Sequence, residues 1–400
     1  MTNRDETIAC RTGIDTDAAH GSVIPPLFLS VNYSFADFDE KRAFDYTRSG
    51  NPTRSLLADA IAQLEGGAGA VITSSGMSAV DLVLSLLPAG ALVVATHDCY
   101  GGSWRLFEAR ARKGHIRILY VNLRDRDAVG AALEQKPALV WIETPSNPLM
   151  RITDIAAIAK RAKAAGARVA VDNTFLSPAI QKPIAFGADF VVHSTTKYLN
   201  GHSDVVGGAV VAATPEDADE LRWWANCCGI TGAPFDSWLT LRGLRTLYVR
   251  LQQQERTAAK VAARLAQLPA VARVNYPGLA SHPDHELAAR QQQGFGAMLS
   301  FELVAGVDVR TVTRALKHFT LAESLGSIES LIAHPATMTH ASMSPEARRL
   351  AGIGDNLLRL SVGLEHEDDL IADLERALSQ AVVRAPEPTV ERTTILESTV

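Results

Sequence analysis

The sequence has little of what marks membrane, extracellular or nucleic-acid-binding proteins. Its 400 residues contain no run of 18 apolar residues, so no transmembrane helix is expected. The 4 cysteines form no C-x-x-C pair and no zinc-finger pattern, which favours reduced thiols. With 39 basic and 44 acidic residues, the chain lacks the basic excess typical of nucleic-acid binding. The first 22 residues have no apolar signal-peptide core. We therefore expect a cytoplasmic protein with no metal site and no membrane or nucleic-acid partner.

Short runs rich in Val and Ile alternate with longer amphipathic segments through the first half of the chain. Continuous apolar runs are typical of strands that are covered on both faces. Alternating β and α elements predict an α/β fold with a mostly parallel, seven-stranded sheet flanked by helices. The predicted strands are Ala70–Thr73, Ala91–Ala95, Ile116–Val121, Ala138–Ile142, Arg168–Val171, Phe190–His193 and Gly207–Val211. The helices expected between them are Met77–Leu87, Ser103–Lys113, Asp125–Glu134 and Ile155–Ala165.

The pattern changes near residue 214, where helical character dominates up to about residue 268. Mixed elements follow, with strands expected at Val271–Asn275, Ala297–Glu302 and Leu358–Ser361 and a closing helix at Asp368–Ala381. We predict four parts. They are an extended N-terminal arm (1–55) that contacts another subunit, a large α/β domain (56–250), a smaller C-terminal α+β domain (251–383) and a flexible tail (384–400).

Residues that can carry chemistry follow three of the predicted strands. Gly76 and Met77 form a small-residue turn before a helix, where backbone N–H groups bind anions, although many such turns are only tight connections. Asp172 is either a turn cap or a partner for a cationic ring nitrogen. Lys197 is either an exposed lysine or an amine that forms a Schiff base. Because ligands bind beyond the carboxyl ends of such strands, the three together indicate an electron-sink cofactor.

Four segments carry a resemblance to a known family. They are Asp45-Tyr46-Thr47-Arg48-Ser49-Gly50-Asn51-Pro52-Thr53-Arg54, Ser146-Asn147-Pro148, Val171-Asp172-Asn173-Thr174 and Ser194-Thr195-Thr196-Lys197-Tyr198. In this order they resemble the Cys/Met-metabolism family of pyridoxal-phosphate enzymes, and the likeness runs from Thr12 to Ala381. The resemblance implies the fold type I of PLP-dependent transferases, pyridoxal 5'-phosphate as cofactor and a homotetramer built from two active-site dimers.

The resemblance also implies roles for individual residues. Lys197 matches the lysine that binds the cofactor and moves protons, Asp172 the partner of its ring nitrogen, and Tyr100 the aromatic that stacks on its ring. Asn147 matches a residue near the phenolic oxygen. The implied phosphate ligands are Gly76, Met77, Ser194 and Thr196, with Tyr46 and Arg48 supplied by a neighbouring subunit.

Further matches concern an amino-acid substrate. Arg359 matches the arginine that binds the α-carboxylate, although a structural ion pair is the alternative for a guanidinium in an apolar strand. The other implied substrate residues are Ser324, Asn147 and Glu323 near the bound amino acid, and Arg105 and Asp45 at the substrate entrance.

The implied reaction is a γ-replacement on an O-acylhomoserine, with the succinyl ester expected, by L-cysteine to give L-cystathionine. Ser49 stands where some members of the family carry a second arginine, so the acyl preference stays open. Gly102 stands where members that degrade methionine carry cysteine, which disfavours that activity. The alternatives are cleavage of cystathionine by a γ-lyase, sulfhydrylation of the acylhomoserine, and a non-enzymatic α/β ligand-binding module.

Overall fold

The chain forms a large sheet from its first half and a small sheet from its second half. A computed structural model describes residues 3–341 and 343–381, so the predicted tail at 384–400 lies outside the described residues. The strands of the large sheet are β1 (Gly69–Thr73), β2 (Ala91–Thr96), β3 (Ile116–Val121), β4 (Leu139–Glu143), β5 (Arg168–Asp172), β6 (Phe190–His193) and β7 (Gly208–Ala212). Those of the small sheet are β8 (Val271–Asn275), β9 (Met298–Leu303), β10 (Thr320–Leu321), β11 (Leu331–Ala333) and β12 (Leu357–Ser361).

Helices connect and cover these strands. The first half contains α1 (Asp5–Arg11), α2 (Pro52–Glu65), α3 (Gly76–Ser85), α4 (Gly101–Arg112), α5 (Arg126–Glu134), α6 (Ile155–Ala164) and α7 (Ser177–Ile180), with a 3₁₀ turn at Pro183–Phe186. The second half contains α8 (Pro215–Cys228), α9 (Pro234–Leu244), α10 (Leu247–Leu265), α11 (His285–Gln291), α12 (Val309–Ala315), α13 (Pro345–Ala351) and α14 (Glu367–Ala381). No helix in the described ranges is long and apolar enough to cross a membrane.

The large sheet has seven strands in the order β1-β7-β6-β5-β4-β2-β3. All neighbouring strands run parallel except β7, which is antiparallel to both β1 and β6. The predicted fold class, a mostly parallel seven-stranded sheet between helices, is therefore confirmed. The carboxyl ends of β4, β5 and β6 consequently meet at one edge of the sheet.

Both faces of the large sheet are buried, which explains the continuous apolar runs in its strands. Alternate residues enter two different cores: Trp141 packs with the cluster that includes Phe107 of α4, whereas Ile142 packs with the cluster that includes Leu57 of α2. The helices between the strands lie within two residues of their predicted bounds, and α6 begins and ends with the signals that its sequence predicts. In α6, the Asp154 carboxylate accepts the Ala157 N–H at 2.9 Å, and Gly166 with φ 81° follows the last turn.

The small sheet has the order β10-β11-β12-β9-β8, with only the β10–β11 pair parallel. Its inner residues Leu299 and Leu358 join the same core as Leu57, so one hydrophobic cluster extends from the large sheet into the second half. The N-terminal segment departs from the extended arm expected for residues 1–55, because Asp5–Arg11 form the short helix α1. Acidic residues in its first turn and Arg11 in its last turn favour this helix.

Candidate active site

A cavity of about 380 Å³ lies at the carboxyl ends of β4, β5 and β6, next to the first turn of α3. Loops around β11 and β12 of the small sheet close its other side. The predicted site residues that line it are Gly76, Met77, Tyr100, Asn147, Asp172, Ser194, Thr196, Lys197, Glu323, Ser324 and Arg359. Most predicted residues are thus brought together from both sheets.

The first turn of α3 forms a cradle for an anion. The Ser75 hydroxyl accepts the Ser78 N–H at 3.1 Å and so begins the helix at Gly76. A Cβ built at Gly76 would lie 2.8 Å from the Cβ of Ser194, so only glycine leaves this space free. The open backbone at a helix N-terminus beside serine hydroxyls fits a phosphate group.

Lys197 points into the cavity from the turn after β6. Its Nζ donates a hydrogen bond to the Ser324 Oγ at 2.8 Å. Burial, and then the nearby Arg359 guanidinium, lower the pKa of Lys197 to about 8. A substantial fraction of this amine is therefore neutral, and hence nucleophilic and basic, at a pH close to 8.

Two carboxylates lie side by side at the ends of adjacent strands. Glu143 of β4 and Asp172 of β5 are partners in the parallel register, and both line the cavity. Burial raises the pKa of Asp172, although the hydroxyl and N–H of Thr174 oppose the shift. Burial and the neighbouring Asp172 raise the pKa of Glu143 well above its usual value. A carboxylate in such a buried position is stabilised in its ionised form by a cationic partner.

Tyr100 precedes α4 and lies beside the two carboxylates. Its backbone N–H donates to the Glu143 Oε2 at 2.8 Å. A Cβ at Gly102 would lie 2.4 Å from the Tyr100 ring, so the ring packs directly on the Gly102 backbone. Burial, and then the charge of Glu323, raise the pKa of Tyr100, which keeps the phenol neutral. The half-buried ring is available for stacking.

Arg359 is a buried cation in the middle of β12, with 2% of its surface exposed. Its Nη1 donates to the Asn147 Oδ1 at 3.0 Å, and its Nη2 donates to the Ser324 carbonyl at 2.8 Å. Burial lowers its pKa to about 10, so it remains charged at neutral pH. Its Nε is buried without a hydrogen-bond partner, and no carboxylate pairs with it within residues 3–341 and 343–381. This favours a ligand carboxylate over the alternative of a structural ion pair.

Four predicted site residues lie outside the cavity of their own chain. Tyr46 is 47% exposed, and the Arg48 guanidinium stacks over its ring at 5.6 Å. Asp45 pairs with Lys41 at 2.8 Å. Arg105 is exposed on α4. A single chain therefore leaves these four residues out of the cavity lining, although the Arg105 guanidinium acts electrostatically on the Tyr100 phenol.

The cavity also contains residues that the sequence did not single out. They are Ser75, Val80, Ser103, Glu143, Pro145, Thr174, Phe175, Val192, Val206, Leu325 and Thr339. Glu143 could have been found, because it directly follows a predicted strand, as Asp172 does. Thr339 could not, because no sequence pattern places its loop at this cavity.

The residues around the cavity fit pyridoxal phosphate. A buried amine, a buried acid, an aromatic face and an anion cradle converge there, and each matches one chemical group of that cofactor. The unpartnered Nε of Arg359 leaves one further donor for a carboxylate. Pyridoxal phosphate is an electron sink and supplies the stabilisation of a substrate carbanion.

Comparisons with known proteins agree with this geometry. The sequence model of the family "Cys/Met metabolism PLP-dependent enzyme" matches residues 6–379. Cystathionine gamma-synthase of Escherichia coli is 55% identical over 385 residues, 95% of this chain and 99% of that protein. Cystathionine beta-lyase of Lactococcus lactis subsp. cremoris is 45% identical, covering 92% of this chain and 97% of that protein.

A solved structure is also highly similar to this chain. Cystathionine gamma synthase from Xanthomonas oryzae pv. oryzae, in complex with cystathionine, superposes with a TM-score of 0.94. It is 58% identical and covers 95% of this chain and 99% of that chain. This chain belongs to the Cys/Met metabolism family of PLP-dependent enzymes.

Proposed function

We propose that the protein catalyses γ-replacement on an O-acyl-L-homoserine by L-cysteine, giving L-cystathionine and the free acyl carboxylate. The observation that carries the proposal is the convergence of Lys197, Asp172 and Arg359 on one cavity. The reaction needs an amine base, an acid that pairs with the ring nitrogen of the electron sink, and a cation that binds the amino-acid carboxylate. Lys197, Asp172 and Arg359 provide these groups in that order. The gamma-synthase names of the similar proteins from E. coli and X. oryzae support the same activity.

We assign the cofactor contacts by chemistry. When the cofactor binds, Lys197 would form the covalent link to it, Asp172 would pair with the ring nitrogen, Tyr100 would stack on the ring and Asn147 would lie near the phenolic oxygen. The cradle for the phosphate is made by Gly76, Met77, Ser194 and Thr196 at the N-terminus of α3. An ionised carboxylate opposite the ring nitrogen favours the protonated form of that nitrogen.

Lys197 is the proposed proton carrier. Because its pKa is lowered to about 8, its neutral form is accessible near neutral pH. With the substrate bound, the neutral Nζ would remove the α-proton and then assist removal of a β-proton. The acyl carboxylate would leave from the γ-carbon with the electron pair of the C–O bond. The cysteine thiol would release its proton to solvent as its sulfur forms the new bond to that carbon. Lys197 returns the protons to carbon.

Arg359 is the proposed binding site for the substrate carboxylate. Asn147 and the Ser324 carbonyl already hold two of its nitrogens, which fixes the plane of the guanidinium and leaves the Nε for the ligand. Glu323 supplies a negative charge on the same side of the cavity and suits the amino groups of the substrates. Arg105 and Asp45 are proposed to line the entrance.

The proposed working unit is a homotetramer made of two active-site dimers, in the cytoplasm. Tyr46 and Arg48 are exposed and do not line the cavity of their own chain, which supports donation to a neighbouring subunit. The two separate sheets support a cofactor domain (56–250) and a C-terminal domain (251–383), which follow the proposed arm (1–55). The four unpaired cysteines suit a reducing compartment.

The test is incubation of the purified, cofactor-loaded protein with L-cysteine and succinyl-, acetyl- or phospho-homoserine in parallel, with cystathionine as the measured product. We expect cystathionine formation, fastest with the succinyl ester. Rapid 2-oxobutanoate release from cystathionine without synthesis would instead assign a γ-lyase. Homocysteine formed from sulfide but no cystathionine from cysteine would assign a sulfhydrylase.

A further inference from the structure

Glu143 is the cavity carboxylate that the proposed reaction does not use. It ends β4 at 5% exposure and, among the described residues, takes part in no ion pair. Its Oε2 accepts the N–H of Tyr100 at 2.8 Å, and the backbone of Asn147 also hydrogen-bonds to its carboxyl group. A buried acid without a cation is costly in its ionised form.

The charges around Glu143 are mostly negative. Its register partner on β5 is Asp172, and adjacent parallel strands lie about 4.8 Å apart. Asp98, after β2, is a second acid nearby, but Arg151 neutralises it at 3.0 Å. The charge of Glu143 also raises the pKa values of the buried Cys99 thiol and of the Tyr100 phenol.

The cations of the cavity are engaged elsewhere. Lys197 donates to Ser324, and Arg359 donates to Asn147 and to the Ser324 carbonyl. Two ionised carboxylates side by side repel each other strongly in a buried site, so such pairs hold a proton. Only Asp172 gains a cationic partner when a pyridinium ring binds, so the proton belongs on Glu143.

We propose that Glu143 is a positioning residue that remains protonated and, through its hydrogen bond from the Tyr100 N–H, fixes the main chain that carries the stacking ring. Asp172 is thereby left as the ionised partner of the cofactor nitrogen. Burial and the Asp172 charge both raise the pKa of Glu143, in agreement with this assignment. The inference rests on the proposed cofactor chemistry, and it extends that chemistry to a residue that holds the backbone of Tyr100.

Two substitutions separate charge from hydrogen bonding. Glu143→Gln keeps an acceptor oxygen and is neutral, whereas Glu143→Met has a similar size and no acceptor of comparable strength. The measurements are the dissociation constant of pyridoxal phosphate from the cofactor-free protein and the pH midpoint of the visible band of the lysine-linked cofactor. Neither measurement uses an amino-acid substrate, so a wrong substrate assignment would leave both unchanged while the activity test fails.

We expect Glu143→Gln to retain the pH midpoint of the wild type. Glu143→Met should weaken cofactor binding roughly 5- to 100-fold, because the Tyr100 N–H is left unpaired. A fall of the midpoint in Glu143→Gln by about one pH unit or more would show that a negative charge had been removed, and would overturn the proposal. Unchanged cofactor binding in Glu143→Met would overturn the positioning role.

Neutron diffraction of the wild-type holoenzyme tests the same assignment without any substituted protein. Deuterium on a carboxyl oxygen of Glu143, with none on Asp172, supports the assignment. Deuterium on Asp172 and an ionised Glu143 overturns it.

Discussion

The Lys197 amine donates a hydrogen bond to the Ser324 hydroxyl at 2.8 Å across a separation of 127 residues. The Ser324 carbonyl also accepts the Nη2 of Arg359, so one residue contacts both cations of the cavity. Ser324 has a φ of 90°, which is uncommon for a residue other than glycine. The loop from the small sheet thus holds Ser324 in an unusual conformation to orient the amine and the guanidinium together.

The lowered pKa of Lys197 predicts its reactivity in the cofactor-free protein. Since burial favours the neutral amine and the pKa falls to about 8, labelling of Lys197 by an amine reagent should rise through pH 8. Competitive labelling with mass spectrometry measures this, with the exposed Lys113 of the same chain as the internal reference. Reactivity of Lys197 that increases only toward pH 10.5, its ordinary value, would contradict the prediction.

Arg359→Lys should raise the KM for the acylhomoserine by roughly 10- to 100-fold, because an ammonium cannot reproduce the planar guanidinium held by Asn147 and Ser324. The cofactor's visible band should remain. Steady-state kinetics and absorbance measure the two effects, and the exposed Arg310 provides the control substitution Arg310→Lys. Loss of the cofactor with an unchanged KM would assign Arg359 to cofactor binding.

Gly76→Ala should weaken cofactor binding because its Cβ would lie 2.8 Å from the Cβ of Ser194 in the phosphate cradle. The control is Gly130→Ala in the middle of α5, whose Cβ meets only the end of the Arg161 side chain at 3.3 Å. Replacing a helical glycine by alanine adds about 0.5–1 kcal/mol of stability, so the control should melt slightly higher and bind the cofactor normally. Titration of the cofactor-free variants with pyridoxal phosphate measures the affinity of each. Equal affinities of Gly76→Ala and Gly130→Ala would show that the first turn of α3 does not bind the phosphate.

The elements that position the site could be predicted because they have strong local patterns. Buried parallel strands appear as continuous apolar runs, and β6 has the predicted bounds. The edge strands β3 and β8, of which β8 is antiparallel to its neighbour, also have the predicted bounds. The chemistry at their carboxyl ends follows from the topology of open α/β sheets, which brought Asp172 and Lys197 to one cavity.

Other features depend on contacts that the sequence does not encode locally. Strands β10 and β11 have only two and three residues, too few for a periodic pattern, although they frame the loop that carries Ser324. The repulsion between the carboxylates of Glu143 and Asp172 depends on strand order, because β4 and β5 become neighbours only in the folded sheet. Helix α1 has seven residues, which is below the length at which periodicity is informative.

The exposed arm predicts a composite active site. Tyr46 and Arg48 do not line the cavity of their own chain, and the proposed assembly places them at the phosphate of a neighbour. The double substitution Tyr46→Phe with Arg48→Ala should therefore weaken cofactor binding roughly 10- to 150-fold through loss of a charge-assisted contact. Cofactor titration measures this loss.

Mixing of variants tests whether that contact crosses between subunits. Consider a dimer in which one chain carries the arm double substitution and the other carries Lys197→Ala. The site of the first chain then has an intact Lys197 and receives an intact arm from the second chain, whereas the site of the second chain lacks both. We expect co-expressed, differently tagged chains to regain roughly half of the wild-type activity per mixed pair. The matched control mixes Arg359→Ala with Lys197→Ala, since both residues line the cavity of one chain and every mixed site then lacks one of them. If the arm pair stays as inactive as this control, the arm serves its own subunit and the composite site is wrong.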